Sequence, residues 1–279
     1  MTANFQSLQR KTSVSFRRFN RHHASLSTVY WTHKLGALTI QKHLINTDLS
    51  KWSVATLGVS LQESQFAFSA GATLDSLDGY LDTCRLHILA ICLAHLESFL
   101  KDAAYCVAKV RDPHPIDFDL SPVAKALVAP ILEVDSLPRP LEYAKHLFEI
   151  NIDNEASAIA KAYAYRCALV HNGGYATKKA LKNLDRKDLR LHEKLSISWE
   201  ELKGIMAAVH SVAEKIDSKW CRSDFQLAEC ERELGHLRHS RHFPKKASDL
   251  WQYIHDQGFR LPPKVKRSAW ERQLYAKKD

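Results

Sequence analysis

Arg166-Cys167-Ala168-Leu169-Val170-His171-Asn172-Gly173-Gly174 is the stretch on which the reading of this chain turns. The run before it, from about Asn154, carries Ala156, Ile159, Ala160, Tyr163, Cys167 and Val170 at helical spacing. It therefore predicts an amphipathic helix with those residues as its apolar stripe. At ~100° per residue, Arg166 and His171 fall ~140° apart, on the two flanks of the stripe. Side chains so placed meet by leaning over the stripe's end at Cys167 and Val170, or when a second chain supplies its own copies. Asp153 or Asn154 is the expected N-cap and Gly173 or Gly174 the left-handed stop. His171 then sits in the last turn, where the helix dipole favours a cation.

Working outward, the longest helical pattern runs from about Leu74 to Val110. Leu77, Leu81, Cys84, Ile88, Ile91, Cys92, His95, Phe99 and Cys106 make one stripe; Leu86, Leu89, Leu93, Leu96 and Leu100 make a second. A helix apolar on two sides is central, with neighbours on both. Between the stripes runs a narrow strip of Ala90, Ala94, Glu97, Lys101 and Ala104. Glu97 has two readings: it orients Arg166 or sits across a dimer axis, or it is a salt-bridging surface carboxylate. Asp112-Pro113-His114-Pro115 breaks this helix. A short helix is expected over Pro122–Leu132 and another near Leu141–Ile150. Leu195 to Ile197 reads as extended, and Ser198-x-x-Glu201 as a capping box opening a helix to about Trp220.

Three of these stretches together carry a family resemblance. Arg166-x4-His171 at a helix end, followed by Asn-Gly-Gly, resembles the R-x(4–6)-H motif of HEPN domains. His95-Leu96-Glu97-Ser98-Phe99-Leu100 is similar to the leucine-glutamate-aromatic element of the family's earlier core helix, and Leu195 to Leu202 to the segment after the motif. The likeness covers roughly Leu74 to Trp220. One departure is Cys167, where the family commonly carries Asn, Asp or His. The resemblance implies an all-α, HEPN-like helical bundle core and says nothing about either end, where basic, mainly helical extensions are expected. It further implies a metal-independent endoribonuclease of a bacterial toxin-antitoxin or antiviral defence system, working as a homodimer with an antitoxin or other partner protein. Arg166 and His171 would be catalytic, Asn172 and Glu97 supporting, with no cofactor. The chemistry is coherent. RNA carries its own nucleophile, the 2′-hydroxyl; histidine moves the protons, and an arginine fork holds the phosphate oxygens. The products would be a 2′,3′-cyclic phosphate and a 5′-hydroxyl. Asn172 would bond the phosphate or serve only the helix stop. A second reading is a non-catalytic HEPN-like dimer that binds nucleic acid or a partner as a scaffold.

Composition and charge bound the rest. The chain has 279 residues, is 45% hydrophobic and holds only nine glycines and nine prolines, which favours a mainly helical protein with a real core. Residues 1–50 carry a net +6, residues 51–220 a net −2 and residues 221–279 a net +5. The expected organisation is a basic N-terminal extension over 1–73, a helical domain over 74–220 and a basic C-terminal extension over 221–279. Basic ends suit a polyanion such as RNA; as solvated tails they would need no ligand. The Ser-, Arg- and His-rich first thirty residues lack the apolar core of a secretory signal. They share the composition of a mitochondrial presequence but read better as a disordered or partner-ordered arm. Tyr30, Trp31 and Trp52 are expected anchors on the main body.

After Gly174, Lys178, Lys179, Lys182, Arg186, Lys187 and Arg190 form a basic link. It would hold RNA phosphates next to the motif or be a solvated stretch. Six cysteines without C-x-x-C fit reduced thiols in a cytoplasmic protein. Cys221, Cys230, His236, His239 and His242 lack the paired spacing of a zinc site, so no metal is expected. The apolar run near Ile88–Leu96 is too short to span a bilayer, and no membrane role is expected. The aromatic residues Trp251, Tyr253, Phe259, Trp270 and Tyr275 among C-terminal cations are either RNA contacts or packing anchors. No phosphate-binding Gly-rich loop, Gly-x-Ser-x-Gly or His-Glu-x-x-His occurs.

Overall fold

The computed structural model describes residues 12–45, 70–113, 119–133, 138–184, 186, 188–238, 246–259, 268, 271–272 and 275. Trp52, His114, Pro115, Lys187, His239, His242 and Trp270, named above, lie outside the described residues. The described residues form α1 (Val14–Ile45), α2 (Ala70–Arg111), α3 (Pro122–Leu132), α4 (Pro138–Leu147), α5 (Asp153–Asn172), α6 (Lys178–Leu184), α7 (Trp199–Trp220), α8 (Ser223–Arg238) and α9 (Ala247–Asp256). Among them there is no strand, only one antiparallel bridge between Tyr175 and Lys194. The chain is all-α, as its composition predicts.

Packing divides it into two units. One is drawn from Met1–His22, Leu93–Ala160 and Ala207–Asp279, the other from His23–Cys92 and Lys161–Met206. The first unit therefore joins pieces from before residue 73, from between 73 and 220 and from beyond 220. The second runs across residue 73 and ends before 220, and α1, α2, α5 and α7 each contribute to both.

The α2 helix is the central one that its two stripes predict. Leu86, Ile88, Leu89, Cys92, Leu93 and Leu96 are buried, and from Phe99 to Lys109 the helix is covered almost all round. Ala103, Ala104 and Ala108 in that stretch leave room for close neighbours. Ile91, expected in a stripe, instead shares an exposed side with Ala94 and Ser98. Ile88 to Leu96 lies inside Gly79–Arg111, a helical stretch that by length and composition is long and apolar enough to cross a membrane. Of its apolar window, 44% is buried inside the protein, which a bundle's core helix also shows.

The largest departure from the sequence reading is α1. Residues 14–30, part of the stretch expected as a disordered or partner-ordered basic arm, belong to a 32-residue helix with Val14, Phe16, Phe19, Leu26, Tyr30 and Ala37 buried, as the expectation of a mainly helical extension allows. Its N-terminus is closed by carboxylates more than 200 residues away. Ser13 Oγ accepts from the Phe16 N–H (3.1 Å), and the Ser13 N–H donates to Asp217 Oδ1 (3.0 Å). The Val14 and Ser15 N–H groups donate to the two oxygens of Glu229 (3.1 and 2.9 Å). These are the donors that a helix start leaves without partners, so two buried acids hold the helix in place. Burial pushes both the Asp217 and the Glu229 carboxyl above the usual range, against hydrogen bonds that pull them down. Further along, Arg18 forms a two-pronged bond with Glu233 (2.9 and 3.1 Å).

The C-terminal helices belong to the same unit. Val14 shares a buried cluster with Cys230, Leu234, Leu250, Ile254 and Phe259, and Trp251, Tyr253 and Tyr275 pack against it. These aromatics are packing anchors. The six cysteines are all free thiols, with Cys92, Cys106 and Cys230 buried.

Candidate functional site

The motif helix ends where its glycines predict but begins a residue early: Asp153 is its first residue, and the Ala156 N–H donates to the Ile152 carbonyl (2.8 Å) rather than to Asp153 or Asn154 as cap. It stops at Asn172, followed by Gly173 at φ 59° and Gly174 at φ 87°. A side chain at either position would be strained by the backbone alone. The Gly174 N–H returns to the Ala168 carbonyl (3.0 Å) and the Tyr175 N–H to that of Asn172 (3.0 Å). The chain then runs antiparallel to residues 192–195. The Ala176 N–H donates to Glu193 O (2.8 Å), and Leu195 N–H to Gly174 O (2.8 Å). Leu195 and Ile197 are buried, and Ser198 caps α7 by accepting from the Glu201 N–H (3.0 Å).

Of the expected apolar stripe on α5, only Ile159 is fully buried. Ile159, Ala162, Ala164, Tyr165 and Ala168 are buried, whereas Ala160 and Val170 are exposed and Ala156, Tyr163 and Cys167 half-buried. The alanines allow close packing, and Tyr165 can be fully buried because its hydroxyl finds polar partners there. It donates to Glu201 Oε1 (3.1 Å) and accepts from Arg186 Nη1 (3.2 Å). Arg186 is itself clamped by Asp188, Nε to Oδ1 at 2.7 Å and Nη2 to Oδ2 at 2.5 Å. Burial, then the Glu201 charge, pushes the Tyr165 hydroxyl up to about 12. Tyr163, Cys167 and Val170 are thus left as an open apolar seam, Val170 with 62% of its surface exposed.

Arg166 and His171 lie on the two flanks of that seam. Arg166 is half-buried, its guanidinium carbon 5.8 Å from the centre of the Tyr163 ring one turn earlier. His171 is exposed and its ring makes no hydrogen bond among the described residues; the Asn172 side chain is exposed too. Lys178, Lys179 and Lys182 are exposed on α6, which Thr177 caps by accepting from the Ala180 N–H (3.1 Å). Arg186 does not join them as a free cation, being held by Asp188 and Tyr165. Glu97 is half-buried in the first unit, whereas Arg166 and His171 belong to the second. No group of three or more His, Cys, Asp or Glu side chains able to hold a metal ion occurs among the described residues.

Two features near the motif escape a reading of the sequence. One is the Tyr165–Glu201–Arg186–Asp188 network; the capping-box pattern directs Glu201 back to its own helix, and only the fold redirects it to Tyr165. The other is an aromatic group from distant segments. Trp199 stacks on Tyr30 (4.1 Å, 5° between planes), and Trp31 meets Trp199 edge-on (5.7 Å, 70°). Comparison with protein-family models, characterised proteins and solved structures finds no match to this chain.

Proposed function

We propose that the protein is a HEPN-like, metal-independent endoribonuclease acting as a cytoplasmic homodimer, in a toxin-antitoxin or antiviral defence setting. The observation that carries this reading is the open seam of Tyr163, Cys167 and Val170 with Arg166 and His171 on its flanks. A seam meeting its own copy across a twofold axis brings two arginines and two histidines around one cleft. Arg166 then holds the phosphate oxygens of RNA and stabilises the crowded phosphorane. One His171 takes the 2′-hydroxyl proton, and its counterpart returns a proton to the leaving 5′-oxygen. In this reading Asn172 bonds a non-bridging oxygen, and the exposed Lys178, Lys179 and Lys182 meet flanking phosphates.

A non-catalytic scaffold is the second reading, favoured by Cys167 in the position that the family commonly fills with a polar side chain. One experiment separates the two. Purified protein is incubated with tRNA and total RNA in EDTA, beside His171→Ala and Arg166→Ala, with circular dichroism to check folding. Cleavage by the wild type alone, leaving cyclic-phosphate ends, is the expected result. Identical behaviour of all three folded proteins would remove the catalytic reading.

A further inference from the structure

The aromatic group on α1 has a side that the fold does not use. Tyr30 and Trp199 bury their faces against each other, and Tyr30 is 1% exposed with its hydroxyl near Arg85 Nη1 (3.4 Å). Trp31, next in sequence, keeps 42% of its surface exposed. Lys34 Nζ sits 4.9 Å from the Trp31 ring centre, and Leu35 and Leu38 continue the exposed apolar surface along the helix. At ~100° per residue, Trp31, Lys34, Leu35 and Leu38 fall within one ~100° sector, centred ~110° round the helix from the buried side of Leu26, Tyr30 and Ala37. Singly exposed apolar residues need no explanation, but an indole with a cation over it and two leucines beside it forms a surface.

Charge narrows what covers it. The α1 sequence contains no Asp or Glu, so a basic partner finds nothing to pair with there and a polyanion finds no repulsion. The position narrows it further. Leu195 is hydrogen-bonded to Gly174, two residues beyond the motif helix, and Trp199 is four residues later. Four residues span at most ~14 Å. Glu201, in the same turn of α7 as Trp199, bonds Tyr165, the neighbour of Arg166. The aromatic group therefore lies a few nucleotides at most from Arg166 and His171, within the same unit.

We infer that Trp31, with Lys34, Leu35 and Leu38, is a stacking platform for an unpaired base of single-stranded RNA, a few nucleotides from the phosphate held at Arg166. This rests on the nuclease reading for its register and deepens it by naming the substrate class. A base stacks on the indole, Lys34 moves from the ring face to the adjacent phosphate, and the leucines support the sugar-base surface. Paired bases present no free face, so the platform selects single strands.

The test is direct binding by the full chain, carried on a His171→Ala background so that RNA stays intact. The probes are a twelve-nucleotide single-stranded oligoadenylate, an RNA duplex of equal length, and phosphatidylserine-containing vesicles. Single strands are expected to bind best. Trp31→Ala should weaken that binding roughly five- to hundredfold, and Trp31→Phe should restore most of it. Lys34→Ala should reduce the salt dependence by about one ion. Equal binding by the Trp31→Ala protein, or Trp31-dependent binding that prefers duplex or vesicles, overturns the platform. Cleavage by wild-type protein, assayed in parallel, separates the two ideas. Cleavage with Trp31-independent binding removes the platform alone. Trp31-dependent single-strand binding without cleavage by any protein keeps the platform and removes the nuclease.

Discussion

Trp199, the first residue of α7, lies flat on Tyr30 of α1, ring centroids 4.1 Å apart and planes 5° from parallel. The contact ties a helix start in the last third of the chain to a segment whose composition reads as an unstructured arm. Tyr30 is among the most deeply buried large side chains, so the stack covers apolar surface as well as pairing two rings. Trp199→Ala should cost about 2–3 kcal/mol, less than the ~3–5 kcal/mol of a fully buried large aromatic because Trp199 is only half-buried. Trp199→Phe should recover much of the loss. Urea denaturation measures both, and a midpoint for Trp199→Ala equal to the wild type's would show that α1 is held without the stack.

A second prediction concerns the other end of α1. Glu229 accepts the Val14 and Ser15 N–H groups and is itself 4% exposed. Removing its carboxylate leaves buried donors without acceptors, at a cost of about 2–3 kcal/mol. Glu229→Ala should lower the denaturation midpoint and open the chain near residues 12–20 to limited proteolysis. Glu229→Gln, which keeps one acceptor oxygen, should fall between. Unchanged protease resistance in Glu229→Ala would mean that Ser13 and Asp217 suffice to anchor the helix.

How much of this was legible beforehand follows from where each signal resides. Local signals read correctly: the paired glycines after Asn172, Pro122 at the start of α3, Ser198 three residues before Glu201. Each acts within one turn of backbone. The course of α1 was hidden because its helix-closing partners, Asp217 and Glu229, are some 200 residues distant, and because its histidines and serines blur the period of Phe16, Phe19, Leu26 and Tyr30. The orientation of α5 was hidden for a different reason. Hydrophobicity ranks Val170 and Cys167 above Ala162, Ala164 and Ala168, yet the bundle buries the small residues that allow close approach. The positions of Arg166, His171 and Asn172 near a helix end were legible; that the stripe between the two flanks stays open was not.

The third prediction is a pH dependence in the first unit. Burial pushes the Glu231 carboxyl up to about 7 from an ordinary 4.5, and the nearby Lys109 ammonium, 3.9 Å away, pulls it down only in part. The folded state therefore holds a proton over this range that the unfolded chain releases. Stability is fully present below about pH 4.5 and falls as pH rises toward 7, at up to about 1.4 kcal/mol per pH unit. Thermal unfolding followed from pH 4.5 to 7.5 should show that slope, superimposed on other groups' contributions. Glu231→Gln cannot titrate and should flatten it. If both proteins fall in parallel, the proton resides elsewhere.

The last prediction takes the open seam on α5. Val170 has no part in the core, so Val170→Lys should change folding stability by no more than about 0.5 kcal/mol. A seam that meets its own copy cannot accept a lysine there, because a twofold axis places the two new charges against each other in an apolar contact. Wild-type protein is expected to run as a dimer in light scattering after gel filtration, and Val170→Lys as a monomer with an unaltered circular dichroism spectrum. Because the proposed cleft needs two Arg166–His171 pairs, the monomer should also lose RNA cleavage, at least tenfold at protein concentrations where the wild type is dimeric. Tyr163→Ala, which removes the ring under the Arg166 guanidinium as well as part of the seam, should weaken both properties together. A Val170→Lys protein that is monomeric and still cleaves at the wild-type rate would place the chemistry within one chain. A wild type that is monomeric at every concentration would remove the seam's proposed role altogether.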